Sequence, residues 1–482
     1  TTKELDFWGP YGNTIDDEVL RAVAPDKLRT IWWGYGGEHL AYPLWGPLLK
    51  GTVNGNAWYT SDIEAPSGLM SVDFSLAEYY KNERKPFVDA LNHGVGPLLI
   101  ATPLKKHGIA ILWSHASYSA SFMDEKLPNP RDSAGVLLSF LYRTGLNFDF
   151  VTSSMLENGV LKNYKTLWLP GATALSEKET KAILEFANSG GVVVADIKPG
   201  VLNASLGKLD SSPLAPLFGL EKLKGTSPLR MKAVGVDAEL RGQRISFKAA
   251  KSHQASGVPV FSAKEYGKGL GILLNFNLSS AANTSEGGLD AFLASLFQLA
   301  GIAPEVTVEG LTSDRLVMRL RENPDGQILG ILAGREDIGK SAKITLPASR
   351  WIYEVDKGFL TEGKSIEVKF DVPFKVFSLF DRKQEPPVLE ISTPSIAVGG
   401  ALDLRLNRLS PSGIFRIDVT TPDGMPLRRL TRVFAGSKAE SQPPLRFALS
   451  DTPGKYHVVL TDIRTGLSTT HALEITGERD SQ

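Results

Sequence analysis

The chain of 482 residues contains no cysteine. That absence removes disulfides, thiolate metal centres, iron–sulfur clusters and every cysteine nucleophile. It leaves the compartment open, because many exported proteins carry no disulfide; the periplasm or the cell exterior is preferred here to the cytoplasm. There is no excess of charge either: 53 Lys and Arg balance 53 Asp and Glu. A nucleic-acid binder carries a basic surplus to release phosphate counterions, and a polybasic membrane anchor needs a cationic cluster. Neither nucleic acid nor membrane is therefore expected as a partner. No apolar run approaches the roughly 20 residues of a transmembrane helix. The seven histidines (39, 93, 107, 115, 253, 457 and 471) show no metal-binding spacing, so no catalytic metal is expected. Nor is there a Walker sequence or a GxSxG elbow. Gly267-Lys268-Gly269-Leu270-Gly271 is glycine-rich but precedes a strand, whereas a phosphate loop follows one and opens a helix. It reads as a turn, and no cofactor is expected.

What the chain does have is tryptophan, crowded at one end. Five of its eight tryptophans (Trp8, Trp32, Trp33, Trp45 and Trp58) lie in the first 58 residues. Those residues belong to an alternation of strands and helices. Leu5–Trp8, Leu28–Trp33 and Asn56–Thr60 read as buried strands. Asp16 or Asp17 reads as the cap of a helix ending at Ala24, residues 41–50 as a short helix, and Ser75 to about Asn92 as a helix bent at Pro86. Alternating strands and helices imply parallel pairing through crossovers. Three such units are too few to close a (β/α)8 barrel but suit the last three units of one.

The rest of the chain divides by pattern. Residues 106–304 continue the alternation, with a capping-box spacing at Ser176 and Glu179 and a central strand at Val192–Ala195, which predicts a doubly wound α/β domain. From 305 to 383 the helical period gives way to strands separated by turns, a small antiparallel β domain. A linker at 383–388 leads to short, evenly spaced strands over 388–476, the pattern of an immunoglobulin-like sandwich. The fold class expected is multidomain α/β plus all-β.

In a parallel barrel the active groups sit on loops at the carboxyl ends of strands. Those loops offer Trp8, Tyr11 and Asn13 after the first strand, Trp33, Tyr35, Glu38 and His39 after the second, and Trp58, Tyr59, Ser61 and Asp62 after the third. Aromatic faces beside carboxylates and amides suit a sugar, whose C–H faces pack on rings while its hydroxyls take directed hydrogen bonds. Trp32 and Trp45 read as packing residues. Trp8, Trp33 and Trp58 serve a site or a core equally well. Glu38 is either the nucleophile of a retaining glycosidase or a solvated loop carboxylate; the nucleophile role needs a second carboxyl about 5–5.5 Å away. Asp62 orients a hydroxyl or caps a turn, and His39 orients a group or lies at the surface.

Three stretches carry a family resemblance: Leu5-Asp6-Phe7-Trp8-Gly9-Pro10-Tyr11-Gly12-Asn13, the run from Thr30 to Tyr59, and Gly108 to about Glu221, with Gly190–Asp196 and Pro213–Leu220 inside it. In order and character the chain resembles the C-terminal half of β-galactosidase-like glycoside hydrolases of family 42. The resemblance covers roughly residues 1–380. It implies strands six to eight of a (β/α)8 barrel, then a non-catalytic, glutaminase-like trimerisation domain, then a β domain; the terminal sandwich is not a standard part of that family. It implies a retaining hydrolase of β-galactosides or related β-glycans, an oligo- or polysaccharide substrate, and a homo-oligomer, by analogy a trimer. Glu38 matches the family's nucleophile on strand seven, several residues beyond the strand. The family's acid/base glutamate lies on strand four, which this chain lacks, so an N-terminal barrel segment is expected as a separate chain or a further part. The rivals are a non-catalytic carbohydrate-binding or assembly protein of the same architecture, and a cofactor-using enzyme active in the middle domain.

Overall fold

The computed structural model describes residues 7–9, 14–33, 41–52, 54–57, 73, 75, 85–220, 236–240, 243–247, 261–282, 288–311 and 315–477. The chain forms two compact units. One comprises Thr1–Arg29 and Lys106–Glu305, the other Thr30–Lys105 and Val306–Gln482.

The N-terminal elements are three parallel strands and their helices. Strands β1 (Phe7–Trp8), β2 (Leu28–Trp33) and β3 (Asn54–Ala57) pair in that order. Trp8 lies opposite Arg29, and Thr30 to Trp33 run opposite Asn54 to Ala57. Helix α1 (Thr14–Val23) joins the first two strands, and α2 (Ala41–Leu49) follows the second. The third strand starts two residues before the expected Asn56; Trp58 to Thr60 lie outside the described residues. Helices α3 (Lys85–Asn92) and α4 (Val95–Ala101) follow. Pro86 is the second residue of α3, and the stretch on the other side of the expected bend there lies outside the described residues. Residues 76–84, the rest of the expected long helix, lie outside the described residues.

Within the first unit, β4 (Ile109–Trp113), β5 (Asp149–Thr152), β6 (Thr166–Leu169), β7 (Val192–Ala195), β8 (Phe261–Tyr266) and β9 (Gly269–Leu274) make one sheet in the order β8-β9-β7-β6-β4-β5. All neighbours are parallel except the β8–β9 hairpin. Helices α5 (His115–Met123), α6 (Pro130–Thr144), α7 (Glu177–Asn188), α8 (Leu278–Ala282) and α9 (Gly288–Leu299) accompany it. The inner strands β4, β6, β7 and β9 are almost wholly apolar because both faces are covered, whereas the edge strand β8 carries exposed Lys264 and Glu265. Leu167 and Leu169 belong to the cluster that includes Ile183 and Phe186 of α7. Trp168, between them, faces the other way and stacks on Phe297 of α9, centroids 4.9 Å apart. Ser176 and Glu179 close the capping box at the start of α7. Gly267 and Lys268 form the turn of the β8–β9 hairpin, with Gly267 at φ 59°.

In the second unit, β10 (Thr307–Glu309), β11 (Val317–Asn323), β12 (Gly326–Leu332), β13 (Ser341–Glu354), β14 (Gly358–Lys369) and β15 (Phe374–Phe380) form an antiparallel sheet, β10-β13-β15-β12-β11, with β14 also on β13. Gly330 of β12 admits α2: a Cβ there would lie 2.3 Å from Leu49 Cδ2. Arg321 of β11 is buried, and its guanidinium donates to the carbonyls of Leu49 (2.7 Å) and Thr102 (2.6 Å). These oxygens end α2 and α4, where carbonyls lack a partner within the helix and the dipole favours a cation.

Residues 388–477 form a further β-rich region. Strands β16 (Ser395–Ala397), β17 (Ile414–Thr420), β18 (Arg432–Ala435), β19 (Gly454–Asp462) and β20 (Ser468–Thr476) pair in the order β16-β20-β19-β17-β18. Its core gathers Phe415, Ile417, Tyr456 and Leu460 with Leu389 and Leu402. Arg464 ties this region to the preceding sheet by pairing with both Asp462 (2.8 Å) and Asp325 (2.7 Å).

Candidate active site

The three strands that lead into the expected sugar site, β1, β2 and β3, are described as backbone. Trp8 ends β1, level with Arg29, and Trp33 ends β2, level with Ala57. Tyr11, Asn13, Tyr35, Glu38, His39, Trp58, Tyr59, Ser61 and Asp62 lie outside the described residues, as do the side chains of Trp8, Trp32 and Trp33. Trp45 is described and is a packing residue, 5 % exposed, stacked on Phe374.

A charged cluster anchors the α1 end of this region. Arg29 of β2 is buried and donates to Asp17 Oδ1 at 3.0 Å. Glu18, fully buried, accepts from Arg21 at 2.7 Å and from the Tyr142 hydroxyl at 2.8 Å. Arg21 reaches on to Asp149 at the start of β5, 2.7 Å away. Asp16 pairs with Arg131 at 2.5 Å. Asp16 and Asp17 are thus ion-pair residues within the first turn of α1, not its caps. Helix spacing alone hides this, because Arg131 and Asp149 are more than a hundred residues away in sequence. Burial lowers the pKa of Arg29. Burial also opposes the charge of Arg21, but Glu18 and Asp149 outweigh it and raise its pKa. The arrangement fixes orientation: the buried Arg29, the half-buried Arg21 and their carboxylates lock α1, and hence the start of β2, to α6 and β5.

The doubly wound sheet holds one group that sequence reasoning passed over. Asp196 follows β7 at the carboxyl edge of the sheet and is 2 % exposed. The Gly171 amide donates to its Oδ1 at 2.6 Å. Burial raises its pKa to about 7, against hydrogen bonds from Ser133 and from the Gly171 and Leu278 amides. The available signal was an aspartate directly after an all-apolar central strand, where a charged group must be buried. Among the described residues no three His, Cys, Asp or Glu cluster to hold a metal, and no helix is long and apolar enough to cross a membrane.

The described fold is similar to that of solved GH42 β-galactosidases. Gan42B, a GH42 β-galactosidase from G. stearothermophilus, superposes with a TM-score of 0.59 over 79% of this chain and 60% of its own, at 13% identity. The β-galactosidase from Bacillus circulans sp. alkalophilus gives a TM-score of 0.58 over 78% and 61%, also at 13% identity. That from Rahnella sp. R3 gives 0.57 over 78% and 61%, again at 13% identity. The chain therefore spans about 60% of the length of the β-galactosidases it resembles. No protein-family model and no curated protein matches the sequence.

Proposed function

We propose that the chain is the C-terminal portion of a retaining glycoside hydrolase acting on β-galactosides or related β-glycans. The observation that supports this is the GH42-like fold over 79% of the chain, together with an aromatic and acidic set of residues in the three loops after parallel strands. Glu38 attacks the anomeric carbon, forming a glycosyl ester as the glycosidic bond breaks. A second carboxyl protonates the departing oxygen, then takes a proton from the water that cleaves the ester. That second carboxyl belongs to an N-terminal barrel segment outside these residues. Trp8, Trp33 and Trp58 wall the sugar, Tyr11 and Asn13 hydrogen-bond beside the anomeric centre, and Tyr35, His39 and Asp62 complete the pocket. The doubly wound domain drives homo-oligomerisation as a trimer.

The test is Glu38→Gln in the complete protein, assayed on aryl β-galactosides. Removing the nucleophile lowers kcat by on the order of a thousandfold or more while sugar binding persists. Unchanged turnover removes Glu38 from the mechanism. Sugar binding with no turnover by the unmutated protein leaves the non-catalytic carbohydrate-binding reading in its place.

A further inference from the structure

The second unit contains a cavity of about 500 Å³ that no sequence motif marks. Part of its lining is apolar: Trp45 of α2, Val95 of α4, Pro373, and Phe374 and Val376 of β15. Another part of the cavity is charged. Glu354 and Asp371 face it with Lys375, whose ammonium lies 3.3 Å from Glu354 Oε1 and 3.1 Å from Asp371 Oδ1. Lys357 donates to the same Glu354 oxygen at 2.8 Å. Glu354 Oε2 therefore has no partner among the described residues. Asp89 of α3 is alike: Lys85 takes Oδ2, and Oδ1 is left as an acceptor.

The balance of the lining decides the class of ligand. Among its described residues, four carboxylates (Asp89, Glu354, Asp356, Asp371) meet four cations (Arg315, Arg335, Lys357, Lys375). A described lining whose carboxylates and permanent cations balance, with His93 as its remaining titratable group, gives no net attraction to phosphate or to a polyamine. It does offer separate acceptors beside an apolar surface, in a volume within the roughly 300–1,000 Å³ of small-molecule sites. An uncharged ligand with many hydroxyls and an apolar face satisfies both halves. We propose that this cavity binds a neutral saccharide, its hydroxyls donating to Glu354 and Asp89 and its C–H face lying on Phe374 and Val376. The site stands on the chemistry of its lining; only the choice of galactosides as first probes rests on the hydrolase reading.

The experiment is isothermal titration of the complete protein with lactose, galactobiose and cellobiose, with inorganic phosphate and spermidine as charged comparators. Two variants on α3 report on the cavity: Asp89→Ala removes an acceptor, and Ala90→Trp fills the space from the helix face. Thermal unfolding midpoints confirm that both fold. The expected result is binding of at least one neutral disaccharide, weakened about tenfold by Asp89→Ala, the loss of one hydrogen bond to a charged acceptor, and abolished at this site by Ala90→Trp. Disaccharide binding that is the same in both variants overturns the proposal, as does tighter binding of phosphate or spermidine, or no disaccharide binding at all. A hydrolase that keeps its turnover while either variant leaves binding untouched separates failure of this site from failure of the Glu38 reading.

Discussion

Trp45 and Phe374 stack face to face, ring centroids 4.0 Å apart and planes 13° from parallel. Phe87 of α3 meets the same indole edge-on at 4.9 Å. Three elements far apart in sequence thus share one aromatic cluster in the second unit. Trp45→Ala is expected to destabilise that unit by about 3–5 kcal/mol, the range for deleting a large buried aromatic. Phe374→Leu keeps most of the volume and is expected to cost clearly less. Urea denaturation followed by far-ultraviolet circular dichroism checks both.

Arg321 supplies a second joint in the same unit. Its guanidinium serves the carbonyls of Leu49 and Thr102 from within a buried strand. Arg321→Met fills the space but leaves both oxygens without that donor, at roughly 1–3 kcal/mol per buried unsatisfied group. Amide hydrogen exchange is expected to rise in α2 and α4 before it rises in the β17–β19 region. Uniform loosening of the whole unit would contradict the capping role.

Arg29 and Asp17 form a buried pair, 3.0 Å apart. Arg29→Met removes the charge and keeps the bulk, so Asp17 must lose its ion or its burial. The expected cost is about 3–5 kcal/mol. Pairing Arg29→Met with Asp17→Asn recovers much of the loss, and a double-mutant cycle by chemical denaturation measures the coupling.

Asp196 gives a pH dependence whose sign is fixed by linkage. Its folded pKa, about 7, lies above the ordinary 3.8, so the folded state holds the proton that the unfolded state has released. Its contribution is most favourable below pH 3.8 and falls as pH rises through 7. Asp196→Asn mimics the protonated form, so the variant gains stability on the wild type as pH rises from 5 to 8, by at most about 3 kcal/mol. The difference between the two proteins, measured by urea titration at each pH, isolates this group from the other carboxylates. A difference that does not change with pH would contradict the assignment.

Much of the architecture is legible in local pattern. The capping box at Ser176 and Glu179, the apolar strand Val192–Ala195 and the turn at Gly267 are all short-range features, and each is found where its residues lie. What escapes is long-range. Asp16 and Asp17 look like caps because a window of a few residues contains no Arg131 or Arg29 folded against them. The cavity lined by Glu354 and Asp89 joins α2, α3, α4 and the ends of β12, β13 and β15, so no contiguous stretch of sequence marks it. The strands β1 to β3 are parallel, as their alternation with helices implies, while the loop residues of the expected sugar site lie outside the described residues.

The most direct measurement is covalent trapping at Glu38. The complete protein is incubated with an activated 2-deoxy-2-fluoro-β-galactoside, which slows hydrolysis of a glycosyl ester more than its formation, and the digest is read by mass spectrometry. The expected result is loss of activity with one fluorogalactosyl group on the peptide containing Glu38, absent in Glu38→Gln. A label on a different carboxylate, or turnover with inversion and no label, would contradict the retaining mechanism proposed for this chain.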